Sequence, residues 1–179
     1  MKFFATPLAG LYVVEIEPRV DMRGFFARGF CMDEFAAHGL DTRIAQANMA
    51  FNEKASTLRG MHFQVPPHEE AKYIRCVRGA VYDVAVDIRP QSATYLKWHA
   101  AELTADNRRM MCIPRGFAHG YQTLSDNTEV FYLVSEFYHP ESDRGLRWDD
   151  PALAISWPLP NPILSAKDRM HPLLDWAKA

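Results

Sequence analysis

Three stretches of this chain are dense in imidazole, ammonium, carboxylate and other polar groups while still reading as ordered structure. The first is Arg59-Gly60-Met61-His62-Phe63-Gln64, closed by Lys72 beyond Pro66-Pro67. On an extended strand His62 and Gln64 project to the same side, Gly60 admits the close approach of another backbone, and the prolines fix the following loop. The second is Pro114-Arg115-Gly116-Phe117-Ala118-His119-Gly120, with a histidine in the spacing P-x-G-x-x-H. The third is Ser165-Ala166-Lys167-Asp168, whose carboxylate matters if the chain folds it back on His62. Imidazole exchanges protons near neutral pH, and a carboxylate beside it would offset the charge it gains. Each group also has a plain structural reading. His62 could be a satisfied histidine on a surface strand, Lys167-Asp168 could be solvated surface, and Tyr132 could be a core tyrosine bonded to backbone.

Strands must carry these groups. In Ala80–Pro90, Tyr82, Val84, Val86 and Ile88 share one face, with Asp83 and Asp87 on the other. Glu129–Tyr138 repeats the pattern, grouping Val130, Tyr132 and Val134. Leu11–Glu17, Ile74–Arg78, Lys97–Leu103 and Arg109–Ile113 are further short strands, with turns at Arg78-Gly79, Asp106-Asn107, Arg115-Gly116 and Ser125-Asp126-Asn127. Helix is scarce. One is expected over Asp33–His38, capped by Asp33 and stopped by Gly39, and another around Leu173–Lys178. Many short strands and few short helices predict an all-β fold, an antiparallel barrel or sandwich for which a jelly roll suits the length. The mouth of such a barrel is where a site would be built.

The chain has 179 residues, 48% hydrophobic and 23% charged, so a single domain over residues 1–179 is expected. Twenty basic residues against 22 acidic ones give a net charge of −2, with the charges scattered, which argues against nucleic acid as partner. No stretch approaches the ~20 apolar residues of a membrane span, so a cytoplasmic protein is expected. Cys31, Cys76 and Cys112 contain no C-x-x-C pair and read as free thiols in a reducing compartment.

The P-x-G-x-x-H and G-x-H-x-Q stretches, together with Glu69, resemble the paired motifs of the cupin superfamily, which implies a cupin-type jelly-roll barrel. A metal cupin would place a second histidine where Gln64 stands, leaving His62, Glu69 and His119 as ligands. An amide oxygen is a weak partner for zinc or iron, which disfavours a metal.

A longer ordered series spans nearly the whole chain: Asp21-x-Arg23-Gly24-x-Phe26, Gln46-x-Asn48, Leu58-Arg59-Gly60-x-His62-x-Gln64, Lys72, Gly116-Phe117-Ala118-His119-Gly120, Tyr132, Trp157-Pro158 and Ser165-x-Lys167-Asp168. It closely resembles the dTDP-4-dehydrorhamnose 3,5-epimerase family, metal-free cupins that need no cofactor and invert carbons flanking the ketone of a nucleotide-linked 4-keto-6-deoxyhexose. The resemblance implies His62 as base, Asp168 as its partner, Lys72 at the developing enolate oxygen and Tyr132 as the proton donor on the opposite face. It implies Arg23, Arg59 and His119 around diphosphate and sugar, Gln46, Asn48 and Lys167 at the nucleotide, and Tyr138 stacked on the base. It also implies a homodimer with N-terminal strand exchange, for which Lys2–Ile16 is apolar enough.

The departures from the family pattern gather on the nucleotide side. Arg28 stands where a glutamate is usual, Ala50 and Asn52 replace serines, Phe63 replaces tyrosine, and Glu70 sits where glutamine is common. If Arg28 reaches the ligand, a nucleotide other than dTDP, such as one carrying cytosine or guanine, becomes a candidate; otherwise Arg28 pairs with Asp33 or Glu34. Other readings are a sugar 3,4-ketoisomerase, which begins with the same enolisation, a metal-dependent cupin dioxygenase, and an idle nucleotide-sugar-binding module.

Overall fold

The structure is a computed structural model that describes residues 1–174. In chain order its strands are β1 (Lys2–Ala5), β2 (Tyr12–Glu15), β3 (Arg19–Asp21), β4 (Gly24–Phe26), β5 (Gln46–Asn52), β6 (Leu58–Gln64) and β7 (Lys72–Arg78). They continue with β8 (Ala80–Asp87), β9 (Trp98–Thr104), β10 (Met110–Ile113), β11 (Phe117–Thr123), β12 (Thr128–Val134) and β13 (Asp143–Gly145). Two short helices, α1 (Met32–Ala37) and α2 (Ala166–Arg169), accompany them.

Antiparallel pairing builds a six-stranded sheet in the order β1-β2-β10-β7-β12-β5 and a five-stranded sheet in the order β13-β6-β11-β8-β9. The sheets face each other as a cupin-type jelly-roll barrel. Ile74, Met111, Ile113 and Val130 of the first pack against Val81, Ala85, Leu103 and Phe117 of the second, which removes most of their apolar surface from water.

The expected strands form, several of them shortened at one end. The alternation in β8 has a different meaning from the one it suggests. Tyr82, Val84 and Val86 lie on an outer face covered by Leu146, Leu153 and Trp157, while Asp83 and Asp87 are also buried. A buried carboxylate must find donors. Asp87 accepts from Arg89, Ser92 and Thr94, and Asp83 is bonded to His119 inside the barrel. Polar residues in this strand therefore mark the interior rather than solvent.

Helix α1 begins one residue earlier than expected, with Cys31 as its N-cap and no side-chain cap, so Asp33 sits in the first turn instead of capping it. Gly39 ends it at φ +70°, as a stop residue should. Apart from Leu173 and Leu174, which are not helical, the helix expected over Leu173–Lys178 lies outside the described residues. Within segment Lys2–Ile16, β1 pairs with β2 at the edge of the six-stranded sheet. The hairpin β3–β4 stands apart as a two-stranded sheet with Val20, Met22 and Phe26 exposed. Among the described residues no helix is long and apolar enough to cross a membrane. Cys31, Cys76 and Cys112 are free, and burial pushes the Cys76 thiol up to about 11.

Candidate active site

His62 and Asp168 lie 106 positions apart, yet His62 Nε2 is 2.6 Å from Asp168 Oδ1. Local chemistry brings Asp168 there. The Ser165 side chain accepts from the Asp168 backbone N–H at 3.0 Å, capping the single turn of α2 and turning the carboxylate inward. Upstream of α2, Ile163 bridges to Thr57 beside the start of β6. The Asp168 side chain is 5% exposed and that of His62 33%. Burial alone would raise the Asp168 carboxyl, but the bond to His62, the charge of that ring and the Ser165 hydroxyl outweigh it and hold the group below its ordinary value. A carboxylate only accepts, so Nε2 of His62 carries the hydrogen and Nδ1 is the nitrogen left to take a proton.

Close backbone approach sets the neighbouring histidine. His119 of β11 pairs with His62 of β6, and the register shifts immediately beyond. A side chain on Gly60 would sit 2.5 Å from the Gly120 Cα, so both positions need to be glycine for the strands to meet there. His119 Nε2 lies 2.7 Å from Asp83 Oδ1, which fixes its ring.

The other sheet supplies the groups facing His62. Lys72 opens β7, is nearly buried, donates to the His62 carbonyl at 3.3 Å and is 3.0 Å from Glu70. Tyr132 of β12 is on the inward face with Val130 and Val134, as alternation predicts, and its hydroxyl has no hydrogen-bond partner among the described residues. Burial, with the nearby Glu70 charge, raises that hydroxyl above the usual tyrosine value, so it holds its proton. His62, Lys72 and Tyr132 meet at the junction of two cavities of about 310 and 440 Å³.

The residues expected to bind ligand divide between the two lobes. Gln46, Asn48, Tyr138 and Lys167 line the smaller one, and Arg59 and His119 the larger. Gln46 accepts from the Tyr138 backbone, while Tyr138 and Lys167 both bond to Asp143, a residue the sequence patterns do not single out. Arg59 donates to Asn52 at 2.8 Å, which gives the Asn52 departure a purpose: it holds the guanidinium at the rim. Gln64 is structural, tying His68, Phe137 and His139 to the end of β6.

Two expected binding residues do not reach these cavities within the chain. Arg23 sits on the protruding β3–β4 hairpin, bound by Asp21 and 85% exposed. Arg28 pairs with Glu34 at 2.9 Å and borders a separate cavity with Met1 and Arg19. The physical reason is the same for both: a carboxylate close in sequence satisfies each guanidinium locally.

The ligand set expected of a metal cupin does not converge, since His62, Glu69 and His119 form no cluster among the described residues. His62 and Asp168 at 2.6 Å are hydrogen-bonded, which commits the Nε2 hydrogen to the carboxylate and leaves that nitrogen no lone pair for an ion. His68 and His139 stack in parallel at 3.5 Å beside Glu141, an orientation in which two rings cannot both point at one ion in their planes.

The fold and this constellation define a jelly-roll protein with a cluster of titratable side chains inside the barrel. Comparison with known proteins narrows the class. The family model described as dTDP-4-dehydrorhamnose 3,5-epimerase matches residues 5–175. The dTDP-4-dehydrorhamnose 3,5-epimerase of Escherichia coli (strain K12) is 45% identical over 167 residues, covering 91% of this chain and 90% of its own. The crystal structure of the Bacillus anthracis enzyme of that name, with TDP and PPi bound, is 40% identical, covers 97% and 99% of the two chains, and superposes with a TM-score of 0.93. That of Legionella pneumophila dTDP-6-deoxy-D-glucose-3,5-epimerase, in complex with dTDP-4-keto-L-rhamnose, is 36% identical over 96% and 92% of the chains, with a TM-score of 0.90. The chain belongs to the dTDP-4-dehydrorhamnose 3,5-epimerase family.

Proposed function

We infer that this protein epimerises a dTDP-linked 4-keto-6-deoxyhexose at C3 and C5 through enolate intermediates. The observation that carries this reading is the His62–Asp168 pair facing Lys72 and Tyr132 across one cavity. In this reading Nδ1 of His62 removes a proton from a carbon next to the ketone, and the Asp168 carboxylate offsets the imidazolium that results. The Lys72 ammonium stabilises the oxygen on which negative charge develops. Tyr132, its hydroxyl unengaged and its proton retained, returns a proton from the opposite side. Arg59 and His119 serve the diphosphate and sugar, and Gln46, Asn48, Tyr138 and Lys167 the nucleotide. No step requires a metal or cofactor.

The nucleotide is dTDP in this reading. The relatives' ligands support it, and the Arg28–Glu34 pair removes the reason to look for cytosine or guanine. Calorimetric titration is expected to rank dTDP tighter than CDP and GDP, with the order unchanged in Arg28→Ala. An inverted order in the parent that reverts in the variant would return Arg28 to the ligand.

A homodimer completes the reading. The exposed Val20, Met22 and Phe26 of the β3–β4 hairpin are apolar surface of the kind a partner covers, and such a contact would give Arg23 a site it does not reach in its own chain. The whole reading is tested by NMR of the 4-keto nucleotide sugar incubated with enzyme in D2O. Deuterium is expected at both C3 and C5, incorporation at C3 alone would reduce the activity to single epimerisation, and incorporation at neither would overturn the reading.

Asp168→Asn is a sharper probe of the dyad. The amide occupies the same space and can still contact the ring, but it cannot offset the imidazolium, so kcat is expected to fall about 10²-fold with the fold retained. A kcat within threefold of the parent would show that the pair serves only packing.

A further inference from the structure

A second histidine stands behind the dyad and has no part in the mechanism just described. His171 follows α2, its side chain is 9% exposed, and its Nε2 is buried without a hydrogen-bond partner among the described residues. That nitrogen lies 3.6 Å from Asp168 Oδ1, the same oxygen that holds His62 at 2.6 Å, and the two rings meet edge to face at 5.6 Å. The fold makes deliberate room for it. Gly145 of β13, which pairs with His62, would carry a Cβ only 2.3 Å from the His171 ring. The segment that follows is pinned at both sides, Arg147 donating to the Pro172 carbonyl at 3.2 Å and Leu174 to Asp150 at 2.6 Å. A buried donor left unpaired is costly, and here a carboxylate oxygen is within a small ring rotation of it.

We propose that His171 is a positioning residue for the proton-transfer dyad, directing its Nε2 hydrogen to the Asp168 oxygen shared with His62 and thereby setting how much of the carboxylate's charge His62 receives. This rests on His62 being the base. A carboxylate oxygen that accepts a second hydrogen bond stabilises an adjacent imidazolium less. For that role His171 must itself stay neutral. Burial and the charge of His62 keep its pKa below the ordinary histidine value, against the pull of Asp168. The charged groups around it are His62 on β6, Lys167 and Asp168 on α2, and Asp143 on β13.

The sign of the effect follows. With His171 replaced by leucine, Asp168 serves His62 alone, the imidazolium is favoured, and the acidic limb of the kcat/KM profile moves to higher pH by about half to one unit. In His171→Gln, whose amide N–H can still donate, the limb stays near the parent position. A merely structural role would lower the amount of folded protein and leave the limb where it was, and that outcome in a folded His171→Leu would overturn the proposal. A second measurement does not depend on turnover or on the folding of His171→Leu. In the ¹⁵N-histidine spectrum of the free parent protein, the His171 Nε2 hydrogen is expected as an exchange-protected ring signal that shifts in Asp168→Asn. Its absence overturns the proposal as well. The underlying reading fails separately: if His62→Asn keeps the parent's activity and acidic limb, His62 is not the base, whatever the His171 signal does.

Discussion

Replacing His62 with alanine is expected to abolish deuterium exchange at C3 and C5 together, lowering the rate by about 10²–10⁴-fold. Both carbons are expected to fail at once because the proposed mechanism uses one imidazole for both. His119, its neighbour in the barrel, is committed to Asp83 and cannot substitute. The truncation also strips the buried Asp168 of its closest donor, which costs about 1–3 kcal/mol of stability. His62→Asn, which keeps a donor near Asp168 but offers no base, separates the two effects: stability recovers and exchange does not. Exchange near the parent rate in either folded variant would remove His62 from its role.

The second large effect belongs to Lys72. Its ammonium is fixed before substrate arrives, by the His62 carbonyl on one side and Glu70 on the other, and it sits nearly out of water, where a charge acts on its neighbours most strongly. Lys72→Met should reduce kcat about 10²–10³-fold through loss of the ammonium that the proposed mechanism sets against the enolate oxygen. The same change leaves Glu70 as an unpaired, nearly buried carboxylate, at a cost of about 3–5 kcal/mol, so the single variant can lose activity simply by unfolding. The double variant Glu70→Gln/Lys72→Met resolves this. It removes the stranded charge, so thermal stability should return toward the parent while turnover stays low. Turnover that recovered with stability would show that Lys72 holds the fold and not the enolate.

The order of the motifs along the chain, from Arg23 to Asp168, already carries the family, and the apolar alternation carries the all-β fold, because both depend on residue types at fixed spacing. His62, Lys72 and Tyr132 are singled out by that resemblance, and alternation adds only that Tyr132 shares a strand face with Val130 and Val134. Identity along the chain does not, however, say what a charged group will pair with. Arg23 and Arg28 match binding positions as residues, yet Asp21 and Glu34 satisfy them locally and hold them away from the cavity. The aspartates of β8, which alternation sets only on the face opposite its apolar residues, lie in the interior, because the C-terminal segment covers the other side of the sheet. Asp168 reads as surface until Ser165 caps its turn against β6, and His171 carries no local signal at all. The amino-acid sequence by itself determined which elements form and which chemistry is stocked. Only the tertiary structure decided which donor meets which acceptor, because contacts between residues about a hundred positions apart are set by sheet closure and by the need to satisfy every buried charge.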